Sequence, residues 1–149
     1  MICVSAKNLT KDYRSLRAVD HIDFEIASGE CFGFLGPNGA GKTTVMRMIY
    51  CFLPVTSGDL KVLGLDVSAH PSEIKSKTGV MPQENNLDPD LSVFENLIVY
   101  ARYFDIHKKV SSRLAWEFLD FVELREKADV NIKDLSGGMR QRLLLARSL

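Results

Sequence analysis

Cys31-Phe32-Gly33-Phe34-Leu35-Gly36-Pro37-Asn38-Gly39-Ala40-Gly41-Lys42-Thr43-Thr44 holds, in order, an apolar run, a cluster of chain breakers and the start of a helical pattern. The run over 31–35 predicts a strand buried on both faces of a sheet. The breakers follow the spacing glycine, four residues, then Gly-Lys-Thr. Glycines admit backbone conformations that turn successive N–H groups inward, which makes a nest for an anion. The helix read over 42–53 adds the partial positive charge of its N-terminus. Lys42 supplies a full charge toward the outer phosphates of a nucleotide, and the Thr43 hydroxyl is suited to ligate Mg²⁺.

Outward from this stretch, residues 2–9 and 18–26 read as strands, with alternation clear in His21-Ile22-Asp23-Phe24-Glu25-Ile26. Within the helix after the loop, Val45, Met46, Ile49 and Phe52 share one face and are assigned to the core. Ser57-Gly58 marks a turn before a strand over 59–65, and Thr78-Gly79-Val80-Met81-Pro82 reads as a short strand stopped by proline. Residues 84–91 are polar and irregular. Ser92-Val93-Phe94-Glu95 then forms a capping box that opens a helix with Phe94, Leu97, Ile98 and Ala101 on one face. A further helix over 110–124 presents Leu114, Phe118, Phe121 and Val122, and a last one begins near Gly137 and still runs at Leu149. The pattern is α/β with a helical subdomain.

The 149 residues suffice for one domain with a hydrophobic core, and 19 Lys and Arg balance 19 Asp and Glu. That balance argues against a nucleic-acid partner, which usually needs a basic surplus. Cys3, Cys31 and Cys51 are odd in number and lack metal-ligand spacing, so reduced thiols are expected, with Cys31 and Cys51 as packing residues. Met1-Ile2-Cys3-Val4-Ser5 shows no basic segment leading into an apolar one, so no signal peptide is expected. The most apolar stretch, 45–55, is broken by Arg47 and Pro54 and falls short of the about 20 apolar residues a membrane span needs.

Leu135-Ser136-Gly137-Gly138-Met139, followed by Arg140-Gln141-Arg142, resembles the signature sequence of ATP-binding-cassette (ABC) ATPases. A serine and two glycines at a helix start form a second N-terminal anion site, where the plainer reading is an ordinary N-cap. The resemblance covers essentially the whole chain. It implies a P-loop NTPase of the ABC ATPase type, with an N-terminal antiparallel β subdomain and an incomplete helical subdomain. The implied segments are 1–83 (β subdomain and P-loop core), 84–135 (helical subdomain) and 136–149 (start of the signature helix). It further implies that Gly36, Asn38, Gly39, Ala40, Gly41, Lys42, Thr43 and Thr44 hold ATP and that Tyr13 stacks on adenine. Gln83 would reach the metal and the attacking water, making Thr43 and Gln83 the Mg²⁺ residues and Lys42 and Gln83 the catalytic ones. Ser136, Gly137 and Gly138 would touch the γ-phosphate held by a second cassette. His21, His70 and His107 match no motif.

Residues 83–97 look like those of bacterial exporters of drugs, polysaccharides or lipo-oligosaccharides, including the nodulation-factor type. The resemblance therefore implies a peripheral ATPase on the cytoplasmic face of the cell membrane, dimerising with a second cassette and driving membrane-spanning permease subunits. Among rivals, DNA-repair relatives separate P-loop and signature by a heptad-patterned coiled coil, absent from residues 84–135. A translation-associated ABC ATPase stays open, and a kinase or GTPase is disfavoured by the signature and Gln83. The family's apolar strand ending Asp-Glu and its later histidine are not found, so the sequence is read as truncated ahead of them. These residues alone are expected to be inactive in hydrolysis and, because the strand over 31–35 would lack the neighbours it has in the whole sheet, poorly soluble.

Overall fold

The computed structural model describes residues 1–84 and 86–149; Asn85, within the segment read as irregular, lies outside the described residues. The chain divides into two compact units, Met1–Thr78 and Gly79–Leu149.

In the first unit, β1 (Ile2–Tyr13) and β2 (Leu16–Ala27) form a long hairpin. With β3 (Ser57–Val62) and β4 (Leu65–Asp66) they make an antiparallel sheet in the order β2-β1-β3-β4. Val4 and Ala6 alternate into the core, and then the register shifts between Ala6 and Leu9. Asn8 there takes φ 49°, a left-handed conformation that asparagine tolerates. Beyond this bulge Leu9, Thr10 and Lys11 are all buried, so the inward face is no longer set by simple alternation. The stretch read as one strand over 59–65 is instead two strands, because Leu63 (φ 53°) and Gly64 (φ 78°) form the two-residue turn that matches strand twist.

Helix α1 (Lys42–Ile49) packs Val45, Met48 and Ile49 into this core together with Leu9, Val19, Leu60 and Val62. It ends four residues before the expected limit, and Cys51 turns the chain with φ 58°. Ending there carries Phe52 out to 64 % exposure, and Met46 is exposed while Met48 is fully buried. The expected face was therefore wrong at Met46 and Phe52. A short helix, α2 (Pro71–Lys75), starts at a proline in the first turn, where its missing N–H costs nothing.

Residues 31–35 are extended but are not assigned to a strand: the sheet neighbours that would bury this segment are not among the described residues, as expected for these residues alone. A run apolar on both faces is buried only when strands flank it and helices cover it. No described strand pairs with it, Leu35 is 96 % exposed, and Cys31 is exposed rather than packed. What fixes the segment is aromatic: Phe34 meets Phe24 edge-on at 5.2 Å and Phe32 edge-on at 5.2 Å. Residues 78–82 likewise form no strand, with Val80 and Met81 exposed.

The second unit packs α3 (Val93–Arg102), α4 (Lys108–Phe121) and α5 (Gly137–Ser148) around Leu97, Ile98, Leu119, Leu143 and Leu144. The capping box at the start of α3 is complete: Glu95 N donates to Ser92 Oγ at 3.2 Å, and Ser92 N donates to the Glu95 carboxylate at 2.9 Å. The first-turn donors of Val93 and Phe94 go to the carbonyls of Val130 and Ala128. On α4 the buried residues are Ser111, Ala115 and Leu119, and Val122 beyond its end, while Phe121 is 70 % exposed. The face through Leu114, Phe118 and Phe121 is thus rotated from the observed one.

Candidate functional site

The loop over 36–41 holds its shape through glycine. Gly36 (φ 149°), Gly39 (φ 87°) and Gly41 (φ 85°) occupy conformations that side chains disfavour. Gly41 is the N-cap of α1, and no side chain caps that end. Among the described residues the main-chain N–H groups of Gly39, Gly41, Lys42, Thr43 and Thr44 have no protein acceptor. This is the unsatisfied start of a helix, merged with a turn that aims further donors the same way. Lys42 folds back over the loop, and its Nζ donates to the carbonyls of Gly36 and Pro37, each at 2.7 Å. Its third N–H remains available to an anion. Five backbone donors and an ammonium in one exposed loop suit a polyphosphate, and the exposed Thr43 hydroxyl offers an oxygen suited to a hard cation.

Tyr13 ends β1 in the same unit and pairs with Leu16 across the hairpin. Tyr13 as a residue is 40 % exposed. A β-carbon placed on Gly41 would meet the carbonyl oxygen of Ala18, two residues along β2 from Leu16. Two residues of strand span about 7 Å, so the phosphate-loop helix begins close to the hairpin end that carries Tyr13. Behind the ring, the Nζ of Lys11 stands 5.3 Å from its centroid.

Gln83, Ser136, Gly137 and Gly138 belong to the second unit. Gln83 is exposed in the segment leading toward α3. Ser136 caps α5: Met139 N donates to its Oγ at 3.3 Å. Arg140 wraps the same corner, donating through Nε and Nη2 to the Leu135 carbonyl. Gly137 and Gly138 have ordinary φ, and a β-carbon on either would meet no atom within 4 Å. Among the described residues no contact requires glycine at those two positions. Among the described residues no group of three His, Cys, Asp or Glu is arranged to hold a metal, and no helix is long and apolar enough to cross a membrane.

Residues 19–149 match the model of a family described as "ABC transporter". The chain belongs to the ABC transporter family. It is 43 % identical over 143 residues to the Nod factor export ATP-binding protein I of Cupriavidus metallidurans, covering 96 % of this chain and 47 % of that protein. It is 42 % identical over 148 residues to the protein of the same name from Neorhizobium galegae, covering 99 % of this chain and 43 % of that one. The chain thus spans about half the length of the curated relatives it matches. A solved structure described as an ATP-binding subunit of an ABC transporter superposes with a TM-score of 0.80 at 20 % identity, covering 98 % of this chain and 61 % of that one. That likeness shows the ABC ATPase fold, a mixed α/β architecture with an antiparallel sheet.

Two further residues of this ABC chain position the segment after Gln83, and motif reading passed over both. Asn96 is buried at 4 % exposure. Its Oδ1 accepts from Asp88 N at 2.8 Å, and its Nδ2 donates to the carbonyls of Asp88 and Ser92 at 3.0 Å each. An amide at the fourth position after a capping serine was the available signal, since one helical turn brings it back over the cap. Arg147, on the last turn of α5, donates to the Asn86 carbonyl at 3.1 Å and to its side-chain oxygen, and lies 4.5 Å from the Tyr100 ring centroid. Burial pulls its guanidinium below the usual arginine range, with Tyr100 acting in the opposite direction. Sixty-one residues separate Arg147 from Asn86, so no local pattern marks the pair.

Proposed function

We propose that residues 36–44 bind the phosphates of ATP, with Lys42 on the outer phosphates, Thr43 on Mg²⁺ and Tyr13 against adenine. The observation that carries this reading is the Lys42 ammonium held over a loop whose neighbouring N–H groups have no protein acceptor. Mg²⁺ would supply neutralisation of phosphate charge, and the Thr43 hydroxyl and the Gln83 amide oxygen would be offered to it as ligands. Ser136, Gly137 and Gly138 would face the nucleotide of a second cassette. Two adjacent glycines at a helix start, with open space above them, suit a close approach by something outside the chain.

ATP hydrolysis is the general reaction of this family. The proposed role of the whole protein is the peripheral ATP-binding subunit of an exporter, on the cytoplasmic face of the membrane. ATP would join two cassettes, and permease subunits would be moved by their closing and opening. The names of the relatives support export, and lipo-oligosaccharides, polysaccharides and drugs are the proposed cargo classes. Residues 1–149 hold no apolar strand ending Asp-Glu, so a polypeptide of these residues alone should bind ATP without turning it over.

Equilibrium binding of ATP by this polypeptide tests the reading. Lys42→Ala should weaken binding by about tenfold to a hundredfold, the range for a lost charge-assisted contact. Unchanged affinity would remove the phosphate assignment, and turnover at the rate of intact cassettes, abolished by Lys42→Ala, would remove the claim of inactivity.

A further inference from the structure

Lys11 is buried at 8 % exposure in the tail of β1. Its Nζ donates to the Pro54 carbonyl at 2.7 Å and stands 5.3 Å from the centroid of the Tyr13 ring. The described residues give it no carboxylate partner. A buried ammonium without an ion pair is a costly choice for a position that needed only packing, where Leu or Met would serve. What Lys11 does that Leu cannot is hold a carbonyl dipole and an aromatic face at once.

Both partners bear on the nucleotide. Pro54 lies in the segment that leaves α1, the helix whose start forms the phosphate loop. The bonds on either side of Lys11 tie the same two segments: Thr56 N donates to the Thr10 carbonyl at 3.1 Å, and Asp12 N to Thr56 Oγ1 at 3.0 Å. Tyr13, at the other end of the Lys11 contact, is an exposed residue.

We propose that Lys11 is a positioning residue for the base: it holds the Tyr13 ring with one face on the ammonium and the other open to adenine. The proposal rests on the reading of Tyr13 as the adenine platform. A cation on one face draws π density toward itself, which leaves the opposite face a better partner for an electron-rich purine. The anchor at Pro54 also fixes the distance between the base platform and the phosphate-loop helix.

Calorimetric binding of ATP and of inorganic tripolyphosphate to the 149-residue chain separates base from phosphate contributions. Lys11→Met should weaken ATP by about threefold to tenfold and leave tripolyphosphate unchanged, whereas Lys11→Arg should keep ATP affinity. Lys11→Met combined with Tyr13→Leu should bind ATP no more weakly than Tyr13→Leu alone. Equal losses for both ligands, or a loss that adds to that of Tyr13→Leu, would make Lys11 merely structural and overturn the proposal. If Tyr13→Leu weakens ATP and Lys11→Met does not, the proposal alone falls. If Tyr13→Leu leaves ATP untouched, the platform reading falls and takes this one with it. Should Lys11→Met fail to fold, NMR of the unsubstituted chain decides. The Lys11 ε-methylene signals should shift with ATP and not with tripolyphosphate, and an equal response to both overturns the proposal.

Discussion

Gly41 and Ala18 approach so closely that a β-carbon on Gly41 would stand 2.4 Å from the Ala18 carbonyl oxygen and 3.3 Å from a methyl of Val19. The start of α1 therefore rests on the backbone of β2, and only a residue without a side chain allows it. Gly41→Ala meets two penalties, a left-handed φ of 85° and a contact no real β-carbon makes. Gly39→Ala meets only the first, since nothing lies within 4 Å of its β-carbon. Gly39→Ala should cost about 1–2 kcal/mol, and Gly41→Ala clearly more, with loss of ATP binding. Urea denaturation of the two variants side by side checks this. Equal midpoints would mean that the contact with Ala18 yields without cost.

Asn96 uses its amide three times beneath the segment that follows Gln83. Asn96→Leu fills the same space and strands the partners of those bonds, so it should destabilise the chain by about 1–3 kcal/mol. Asn96→Asp retains the acceptor for Asp88 N and loses the donors, and should fall between. A Leu variant as stable as the parent in chemical denaturation would remove Asn96 from its positioning role.

Glu95 titrates below the usual value of 4.5, first because the Ser92 backbone N–H donates to its carboxylate and then because of the Ser92 side chain. The folded chain thus holds this proton less tightly than the unfolded one. The resulting stabilisation is complete above about pH 4.5 and is lost as the pH falls from there through the lower folded value. Glu95→Gln cannot titrate, so its stability deficit should be largest near neutrality and shrink below pH 4.5. Melting temperatures across pH 3–7 supply the check, with a deficit that stays constant counting against the capping box as a pH-sensitive element.

Cys31 is exposed, whereas Cys51 is partly buried and burial pushes its thiol up, against the pull of Lys75. Since the thiolate is the reacting form, a maleimide near neutral pH should modify Cys31 well before Cys51. Mass spectrometry of a labelling time course reads the order. Earlier labelling of Cys51 would mean that residues 31–35 are covered in solution.

Features set within one or two turns of chain were legible in the residues themselves. The Ser92–Glu95 box, the Ser136 cap and the glycine loop ahead of α1 each depend on groups a few positions apart, so residue type and spacing determine them. The family, and with it the fold, followed from two such motifs in the right order. Tertiary structure decided the covered residues where local pattern misplaced them, as at Met46, Phe52 and Phe121. Residues 31–35 carry the composition of a buried strand, and with no sheet neighbours for them among the described residues Leu35 stands exposed, because burial depends on neighbours that composition does not contain. It also decided the inward turn of Lys11, since the bulge at Asn8 resets the alternation of β1 and brings an ammonium beneath Tyr13. Such contacts join residues far apart in sequence, and their geometry exists only once the chain has folded.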